Sequence, residues 1–329
     1  MKIAILDGNN ICYKIWSAMN EGKSGLLKTS EGIPTSVIYG LLKTINSLTE
    51  KTRIDRFVVC WDVGGGSKYR KSIYPLYKGN RSYKDMGDYF KELDSVRDYL
   101  DVFGIRQGIA KGIECDDLIG YLSAIYSDMG NSVIIVSDDK DFYQLVKKTG
   151  NGGMATGKIK IFRPIKNEFI NYEEVKEMFG GMLPRHLPRI KALTGEDSDF
   201  IPGVADIDEK NRKLIKKGLG EKTAMKILYG KKNLREAIDL CNLNRWKELL
   251  KKKRKQIKLS YKLAKIRIWK DDYQDWEKKV LDVSLEKIIY SEKVGVNIRK
   301  INRLVNALEI KSFNVIGLLR KIGVNLDDS

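Results

Sequence analysis

Two groups of acidic residues, separated by one helix and one strand, place the strongest constraint on how this chain can fold. The groups are Glu114, Asp116 and Asp117, and Asp138, Asp139 and Asp141. Between them, residues 118–126 have apolar side chains at helical spacing, and residues 132–136 form a β-branched run typical of a buried strand. The first group therefore lies in the first turn of a helix. The second lies just past a strand's carboxyl end, where open α/β sheets bind ligands.

Each acidic group alone also has an ordinary structural explanation. Acids near a helix N-terminus interact favourably with the macrodipole, and acids after a strand are common loop residues. Two further strands favour a functional explanation, since residues 2–6 and 56–61 are apolar runs followed by Asp7 and Asp62. A helical pattern begins at Ser36 between them, which predicts a βαβ unit with a right-handed crossover. The predicted fold class is α/β, with a mostly parallel central sheet and helices on both faces.

Carboxylates gathered at one edge of a sheet cannot all stay ionised unaided. Two unit charges about 4 Å apart repel by about 4 kcal/mol at an effective dielectric constant of about 20, so protonation or bound cations must offset the repulsion. His186 is the only histidine, and Cys12, Cys60, Cys115 and Cys241 show no metal or disulfide spacing. Oxygen ligands without His or Cys favour Mg²⁺ or Mn²⁺ over zinc. Two such ions roughly 4 Å apart are a known arrangement for phosphodiester hydrolysis.

Length and charge limit the class of partner. The 329 residues allow two domains, and 61 basic against 43 acidic residues give a net charge of +18. A polyanion is the natural partner, with nucleic acid first and an anionic membrane surface second. Membrane attachment is poorly supported because no apolar run approaches the roughly 20 residues of a span. Asp7 comes too early for a signal peptide, and we expect a cytoplasmic monomer.

A basic segment without acids follows Asp62. Between residues 63 and 84 it interleaves lysines and arginines with tyrosines, among them Lys68, Arg70, Tyr77, Lys78 and Arg81. Basic groups neutralise phosphates and tyrosine rings stack on unpaired bases, so we favour contact with nucleic acid. The alternative is a solvated, flexible loop after the glycines at 64–66.

A second candidate contact with phosphate is the turn Gly218-Leu-Gly220, which opens a helix containing Lys222 and Thr223. The backbone N–H groups at the positive end of a helix bind phosphate. On the turn alone, a glycine cap joining two helices is the better explanation. The lysine-rich stretch 249–258 is as compatible with a duplex-facing helix as with a solvated one.

Taken in order along the chain, a set of short motifs is highly specific, although no member is decisive alone. The motifs are Leu6-Asp-Gly8, Trp61-Asp62, Tyr77-Lys-Gly-Asn-Arg81, Glu114-Cys-Asp-Asp117, Asp139-Lys-Asp141, Leu193-Thr-Gly195 through Ser198-Asp199 to Pro202-Gly203, and Gly218-Leu-Gly-Glu-Lys-Thr223. Over most of residues 1 to 270 the chain resembles the structure-specific 5′-nuclease family. That family includes flap endonucleases, phage 5′-3′ exonucleases and the 5′-nuclease domain of bacterial DNA polymerase I.

The resemblance implies a PIN-like nuclease core at residues 1–180, with a basic and aromatic helical arch around 64–95. It implies a helical duplex-DNA-binding domain at 181–329, with a helix-hairpin-helix-like element at the Gly218 to Gly220 turn. The implied cofactors are two Mg²⁺ ions, for which Mn²⁺ substitutes, and a K⁺ ion at that turn.

The resemblance also implies residue roles. The implied metal ligands are Asp7, Asp62, Glu114, Asp116, Asp117, Asp139, Asp141, Glu196 and Asp199. The implied catalytic residues are Lys78, Arg81 and Asp62. The implied DNA contacts are Lys68, Arg70, Tyr77, Lys78, Arg81, Gly218, Gly220, Lys222 and Thr223.

The chain departs from the family pattern at three places. Where the polymerase I domain has Gly-Asp-x-x-Asp-Asn, this chain has Gly195-Glu-Asp-Ser-Asp-Phe200, so Glu196 or the shifted Asp197 must serve the second metal. Residues 205–217 look inserted before the Gly-x-Gly turn. No polymerase domain follows, which is typical of free-standing nucleases of the kind phages encode; the location would then be the host cytoplasm.

The favoured hypothesis is a Mg²⁺-dependent 5′-3′ exonuclease or flap endonuclease acting on 5′ flaps, nicks, ends or RNA–DNA hybrids during replication or repair. A polymerase or single-strand-binding protein would be its protein partner, with no membrane involved. The first alternative is a structure-specific DNA-binding protein whose second metal site has decayed through Glu196 and Phe200. The second is a ribonuclease of the PIN fold, against which the turn at Gly218 argues.

Overall fold

Six strands form one sheet in the computed structural model of this chain, which describes residues 1–20, 26–80, 86–149, 157–215, 217–290 and 295–327. The strands are β1 (Lys2–Asp7), β2 (Arg56–Trp61), β3 (Arg106–Ile109), β4 (Ser132–Val136), β5 (Ile159–Arg163) and β6 (Glu168–Ile170). Their spatial order is β3-β2-β1-β4-β5-β6, and β6 is the antiparallel member. The prediction of a mostly parallel α/β sheet is confirmed.

Helices cover both faces of this sheet and form most of the C-terminal half. They are α1 (Gly8–Asn20), α2 (Ser36–Lys51), α3 (Lys68–Ile73), α4 (Gly87–Val102), α5 (Cys115–Asp128), α6 (Tyr172–Met178), α7 (Leu187–Thr194), α8 (Glu221–Leu228), α9 (Leu234–Asp239), α10 (Asn244–Lys252), α11 (Arg254–Ala264), α12 (Asp275–Leu285), α13 (Ile298–Ala307) and α14 (Val315–Lys321). Residues Lys140–Leu145 form a 3-10 helix directly after β4.

Alternation along the strands divides the core between the two faces of the sheet. In β1, Ile3 and Ile5 belong to one apolar cluster with residues of α5, α7, α8 and α12, whereas Ala4 and Leu6 belong to another with residues of α2 and α4. Successive side chains of a strand point to opposite faces, and burial on both faces explains why these strands are continuous apolar runs. A third, smaller cluster joins Tyr74 after α3 to α11.

The inserted segment forms a two-stranded hairpin of β7 (Asp206–Asp208) and β8 (Lys213–Ile215). The Arg212 guanidinium in its turn donates to the carbonyl oxygen of Gly79 at 2.9 Å. The insertion is therefore folded against the segment that follows α3.

The last described segment packs on helices of the N-terminal half of the chain. Helices α13 and α14, with the short parallel pair β9 (Val296–Asn297) and β10 (Leu326–Asp327), lie against α2 and α4. Ile301, Leu308, Val315 and Leu319 are buried against α2 and α4. Apolar side chains on α2 and α4 provide the surface that α13 and α14 cover, so residues 295–327 share the core of the N-terminal sheet.

None of the helices among the described residues is both long enough and apolar enough to cross a membrane.

Candidate active site

Parallel strands end in register at one edge of the sheet, and this edge carries the first acidic side chains. Asp7 of β1 pairs with Cys60 of β2, and Leu6 pairs with Val136 of β4. The residues that follow β2 and β4 therefore leave the sheet beside Asp7.

Hydrogen bonds connect these strand ends. The Ser137 hydroxyl donates to Asp7 Oδ2 at 3.0 Å, and the Asp139 N–H donates to the same hydroxyl oxygen at 3.1 Å. The Asp62 carboxylate accepts from the backbone N–H of Cys115 at 3.3 Å, at the start of α5. The structure thus brings Asp7, Asp62 and Asp139 to the beginning of that helix.

Helix α5 adds two more acidic side chains to this edge. Glu114 is the residue that caps the helix and is 3% exposed, and Asp116 lies in the first turn. Burial, with repulsion from Asp139 and Asp7, raises the pKa of Asp116 well above its usual range. Burial and then Asp139 likewise raise the pKa of Asp7 to about 7. The ionised carboxylates repel one another, and nearby cations relieve this repulsion.

One cation already lies among these acids. Within the described residues, no group of three or more His, Cys, Asp or Glu side chains is arranged to hold a metal ion. Lys78 instead forms an ion pair with Glu114, and its Nζ lies 3.9 Å from Asp199 Oδ2. Its φ of 53° bends the chain after Tyr77, and its N–H donates to the Asp199 carbonyl at 3.0 Å. The predicted catalytic lysine therefore points at the acidic site.

A second acidic group lies beside the first. Lys191, in the last turn of α7, pairs with Asp141, and its Nζ lies 2.7 Å from Glu196 Oε2. Burial raises the pKa of Asp141 to about 6, although Lys191 opposes this rise. The Tyr77 hydroxyl donates to Asp199 Oδ2 at 3.0 Å. Asp199 thus lies beside Tyr77 and Lys78, which both reach the first acidic group.

Asp117, a predicted metal ligand, accepts hydrogen bonds from two arginines. The Arg70 guanidinium donates to its two oxygens at 2.8 and 2.9 Å, and Arg267 donates through Nε at 2.8 Å and its backbone N–H at 3.0 Å. Each oxygen accepts two donors, which uses its lone pairs. Burial alone would raise the pKa of Asp117, but the two guanidiniums lower it to about 2. Asp117 is a buried anion held by two arginines, and its role as a metal ligand stays a prediction.

Arg70 and Tyr77, which were predicted to contact DNA, are both buried in this structure. They are 4% and 3% exposed. Besides its carboxylate partners, Arg70 donates to the carbonyl oxygens of Leu263 and Lys265 at 2.9 and 3.0 Å. These two side chains support the site from inside because α3 packs its inner face against the residues around the end of α11.

The other residues predicted near the arch have different positions. Lys68 is exposed, with its Nζ 4.8 Å from the centre of the Trp276 ring. Arg81 lies outside the described residues. Asp138 is buried away from the cluster, with one carboxylate oxygen 3.7 Å from Arg163 Nε and the other 3.9 Å from Lys14 Nζ.

The Gly-x-Gly turn opens α8 as predicted. Gly218 has a φ of 76°, which favours glycine, and Gly220 is the residue before the helix. Lys222 is exposed and Thr223 is half-buried. A cleft of 510 Å³ is lined by this turn on one side and by Asp141, Lys191 and Glu196 on the other.

Phe200 explains part of the departure from the family pattern. Its φ is 55°, and its ring is 2% exposed and stacks on Tyr74 with centroids 6.4 Å apart. The side chain therefore belongs to the small apolar cluster. Glu196, rather than Asp197, faces Asp141 through their shared partner Lys191.

Three residues of the site were not predicted from sequence. Ser137 directly precedes the second acidic group, so its position was a usable signal. Lys191 lies five positions before Glu196 on a helix, which is only a weak signal. Arg267 has no local signal, because its partner Asp117 is 150 positions away.

Solved structures of 5′ nucleases share this fold. T5 5′-exonuclease, solved with bound zinc ions, superposes with a TM-score of 0.65 at 18% identity, covering 88% of this chain and 100% of that one. Flap endonuclease-1 from Methanococcus jannaschii gives a TM-score of 0.57 at 19% identity, covering 98% and 91%. At these identities the likeness shows the fold, which is that of the PIN-like 5′ nucleases.

Sequence comparison places the chain more narrowly. The family profile described as "5'-3' exonuclease, N-terminal resolvase-like domain" matches residues 2–180, and the chain belongs to this 5′-3′ exonuclease family. It is 31% identical over 313 residues to the 5′-3′ exonuclease of Aquifex aeolicus, covering 94% of this chain and 92% of that protein. It is 34% identical over 254 residues to DNA polymerase I of Caldicellulosiruptor bescii, covering 77% of this chain. The matched part is 27% of that polymerase's length.

These comparisons confirm the predicted family, fold class and enzyme class. The enzyme is a nuclease.

Proposed function

We propose that the chain is a structure-specific 5′-nuclease that cleaves DNA as a 5′-3′ exonuclease and flap endonuclease, using divalent metal ions. The observation that carries this proposal is the convergence of Asp7, Asp62, Asp116 and Asp139 at one edge of the sheet. Burying mutually repelling carboxylates destabilises the fold unless cations bind there. The family supplies the class of reaction that such cations serve.

Two Mg²⁺ ions are proposed, with Mn²⁺ as a substitute, because the chemistry of a donor set made of oxygen atoms alone suits these ions. The ligands proposed for one ion are Asp7, Asp62, Glu114, Asp116 and Asp139. The ligands proposed for the other are Asp139, Asp141, Glu196 and Asp199. When bound, such ions stabilise the charge of a phosphodiester under hydrolysis and activate water.

Lys78 is the residue proposed to act on the phosphate. Its ammonium already lies at Glu114, next to the carboxylates, and is largely shielded from solvent. A cation in a buried site stabilises developing negative charge more strongly than one in water. Lys78 therefore orients the scissile phosphate and stabilises its charge. Arg81 is proposed for the same task from the segment beyond Asn80.

The turn at Gly218 is proposed to hold the duplex. The N-terminus of α8 and the nearby Lys222 and Thr223 present N–H groups and a positive end to phosphates, and a K⁺ ion at the turn would add to that field. The net charge of +18 favours binding of a polyanion. Lys68 adds a cation at the base of the proposed arch.

The proposed substrates are DNA 5′ flaps, nicks and ends, with RNA–DNA hybrids in primers. A T5 flap endonuclease with a TM-score of 0.60 to this chain was solved with DNA and metal ions. Kinship with DNA polymerase I supports a role in replication or repair, beside a polymerase or a single-strand-binding protein.

A cleavage assay with neighbouring variants tests this function. A 5′-labelled flap and a nicked duplex are incubated with Mg²⁺, with Mn²⁺ or with a chelator. We expect metal-dependent cleavage near the junction by the unmodified protein, and its loss in Asp139→Asn. Asp138→Asn is the matched control, because Asp138 pairs with Arg163 and Lys14 away from the cluster.

Two results would contradict the proposal. One is cleavage that survives the chelator or survives Asp139→Asn. The other is tight flap binding without turnover at any Mg²⁺ or Mn²⁺ concentration, which identifies a DNA-binding protein of the same fold.

A further inference from the structure

Lys191 occupies the centre of the second acidic group. Its ammonium forms an ion pair with Asp141 and lies 2.7 Å from Glu196 Oε2. The flanking Ile190 and Ala192 are buried in the main core, as is Leu193, so the backbone beneath the lysine is held firmly. The side chain is 26% exposed. The backbone of Lys191 is therefore fixed, whereas its long side chain can adopt other rotamers that point the ammonium elsewhere.

The ammonium and a divalent ion need the same oxygens. Asp141 and Glu196 are two of the four residues proposed for the second ion, and the Lys191 ammonium already neutralises both. The longer side chain of Glu196, where the family has Asp, supplies one of these contacts. A cation that stays at this position would repel an incoming divalent ion at close range.

The cleft beside the second acidic group provides a second position for the Lys191 ammonium. Lys191 also lines the cleft of 510 Å³ that extends to the Gly218 and Gly220 turn. A DNA phosphate bound at the turn would lie on the far side of this cleft and would attract the lysine. Lysine has a flexible four-carbon stem, so rotation about its side-chain bonds suffices for the movement.

We propose, on the basis of the proposed function, that Lys191 is a displaceable counter-ion of the second metal site. In the DNA-free protein its ammonium competes with the second divalent ion for Asp141 and Glu196. When DNA occupies the cleft, a phosphate pairs with Lys191 and frees these carboxylates. Binding of DNA and of the second ion is therefore coupled, and by linkage each tightens the other.

Mn²⁺ titration followed by electron paramagnetic resonance tests this without any catalytic readout. In the DNA-free protein, Lys191→Met should tighten the weaker of two Mn²⁺ sites by about tenfold or more, because a neighbouring positive charge is removed. Lys140→Met is the matched control, since Lys140 lines the same cleft and pairs with no carboxylate among the described residues. It should change the weaker site much less.

A dumbbell duplex, closed by loops and lacking a flap, nick or end, tests the coupling. It should tighten the weaker Mn²⁺ site of the unmodified protein about tenfold and that of Lys191→Met by much less. Lys191→Gln gives the same comparison if the methionine variant melts at a lower temperature.

The outcomes separate this inference from the proposed function. A weaker site with the same affinity in the unmodified protein, Lys191→Met and Lys191→Gln contradicts the inference alone. Equal tightening by DNA in the unmodified protein and both variants also contradicts it. Absence of any Mn²⁺ binding to folded protein contradicts the proposed function as well.

Discussion

Asp116 and Asp117 are adjacent in sequence and have opposite electrostatic environments. Burial raises the pKa of Asp116, with Asp139 and Asp7 adding to the rise. Burial would also raise that of Asp117, but Arg70 and Arg267 lower its pKa to about 2. Consecutive side chains on a helix point about 100° apart. One carboxylate therefore faces the strand ends, whereas the other faces the arginines.

Asparagine substitutions at these two positions should change stability in opposite directions. A folded-state pKa above the unfolded value means that the ionised carboxylate destabilises the fold at neutral pH, so Asp116→Asn should raise the free energy of unfolding without metal. A folded-state pKa below it means the reverse. Asp117→Asn should lower that free energy by about 3 kcal/mol, because a buried ion pair loses one partner.

Urea unfolding in the presence of a chelator measures both changes. If Asp117→Asn were to stabilise the protein as Asp116→Asn does, Asp117 would belong to the repelling cluster after all.

Two elements near the site, the loop that ends at Gly203 and the turn from Gly218 to Gly220, differ in how tightly they are packed. Each contains a glycine with positive φ, Gly203 in the loop and Gly218 in the turn. The loop between α7 and residue 203 holds Glu196 and Asp199, and Gly203 has a φ of 55°. A Cβ there would lie 2.7 Å from the Leu193 carbonyl oxygen. At Gly220, before α8, a Cβ would meet no atom within 4 Å. The loop is packed against itself, and the turn is open to a ligand.

Alanine substitutions should distinguish the loop that positions Glu196 and Asp199 from the turn that is proposed to bind duplex DNA. Gly203→Ala should lower the melting temperature and reduce cleavage, because the strained backbone displaces Glu196 and Asp199. Gly220→Ala should leave the melting temperature unchanged and weaken duplex binding several-fold, because a methyl group blocks close approach of phosphate to the helix N-terminus. Thermal melts and binding to a labelled duplex measure these effects. Unchanged duplex affinity in Gly220→Ala would show that another part of the protein binds the duplex.

At the scale of the whole molecule, the end of the chain completes the nuclease core. Helices α13 and α14 bury Ile301, Leu318 and Leu319 against α2 and α4. The last helices therefore belong to the same apolar core as strand residues of the central sheet. We therefore expect the residues of α13 and α14 to affect the nuclease through its stability.

Leu319→Ala should destabilise the nuclease core. Leu319 is fully buried, and truncation of such a leucine costs about 2–5 kcal/mol. Hydrogen exchange of α2 should accelerate in this variant, since α2 loses part of its cover. Arg320→Ala, which removes an exposed neighbour on α14, should leave exchange unchanged. Acceleration confined to residues 295–327 would show that this segment is a separate folding unit.

Much of the site was predictable because its residues follow local patterns. Asp7, Asp62 and Asp139 come after apolar strands, and parallel strands end at a shared edge. Arg70 and Tyr77 are residue types that also contact DNA, so their sequence pattern did not distinguish the two cases. Their burial depends on residues beyond 260. No local sequence pattern marks Lys191, because its two acidic partners, Asp141 and Glu196, come from separate segments of the chain.

The amino-acid sequence alone determined the family, the α/β class and the strand ends that carry the carboxylates, because these depend on periodicity and on residues close together in the chain. Only the tertiary structure decided which charges face one another. It paired Asp117 with Arg70 and Arg267, placed Lys191 between Asp141 and Glu196, and returned the last helices to the core. Packing brings distant segments together, and a charge takes its role from the groups that packing places beside it.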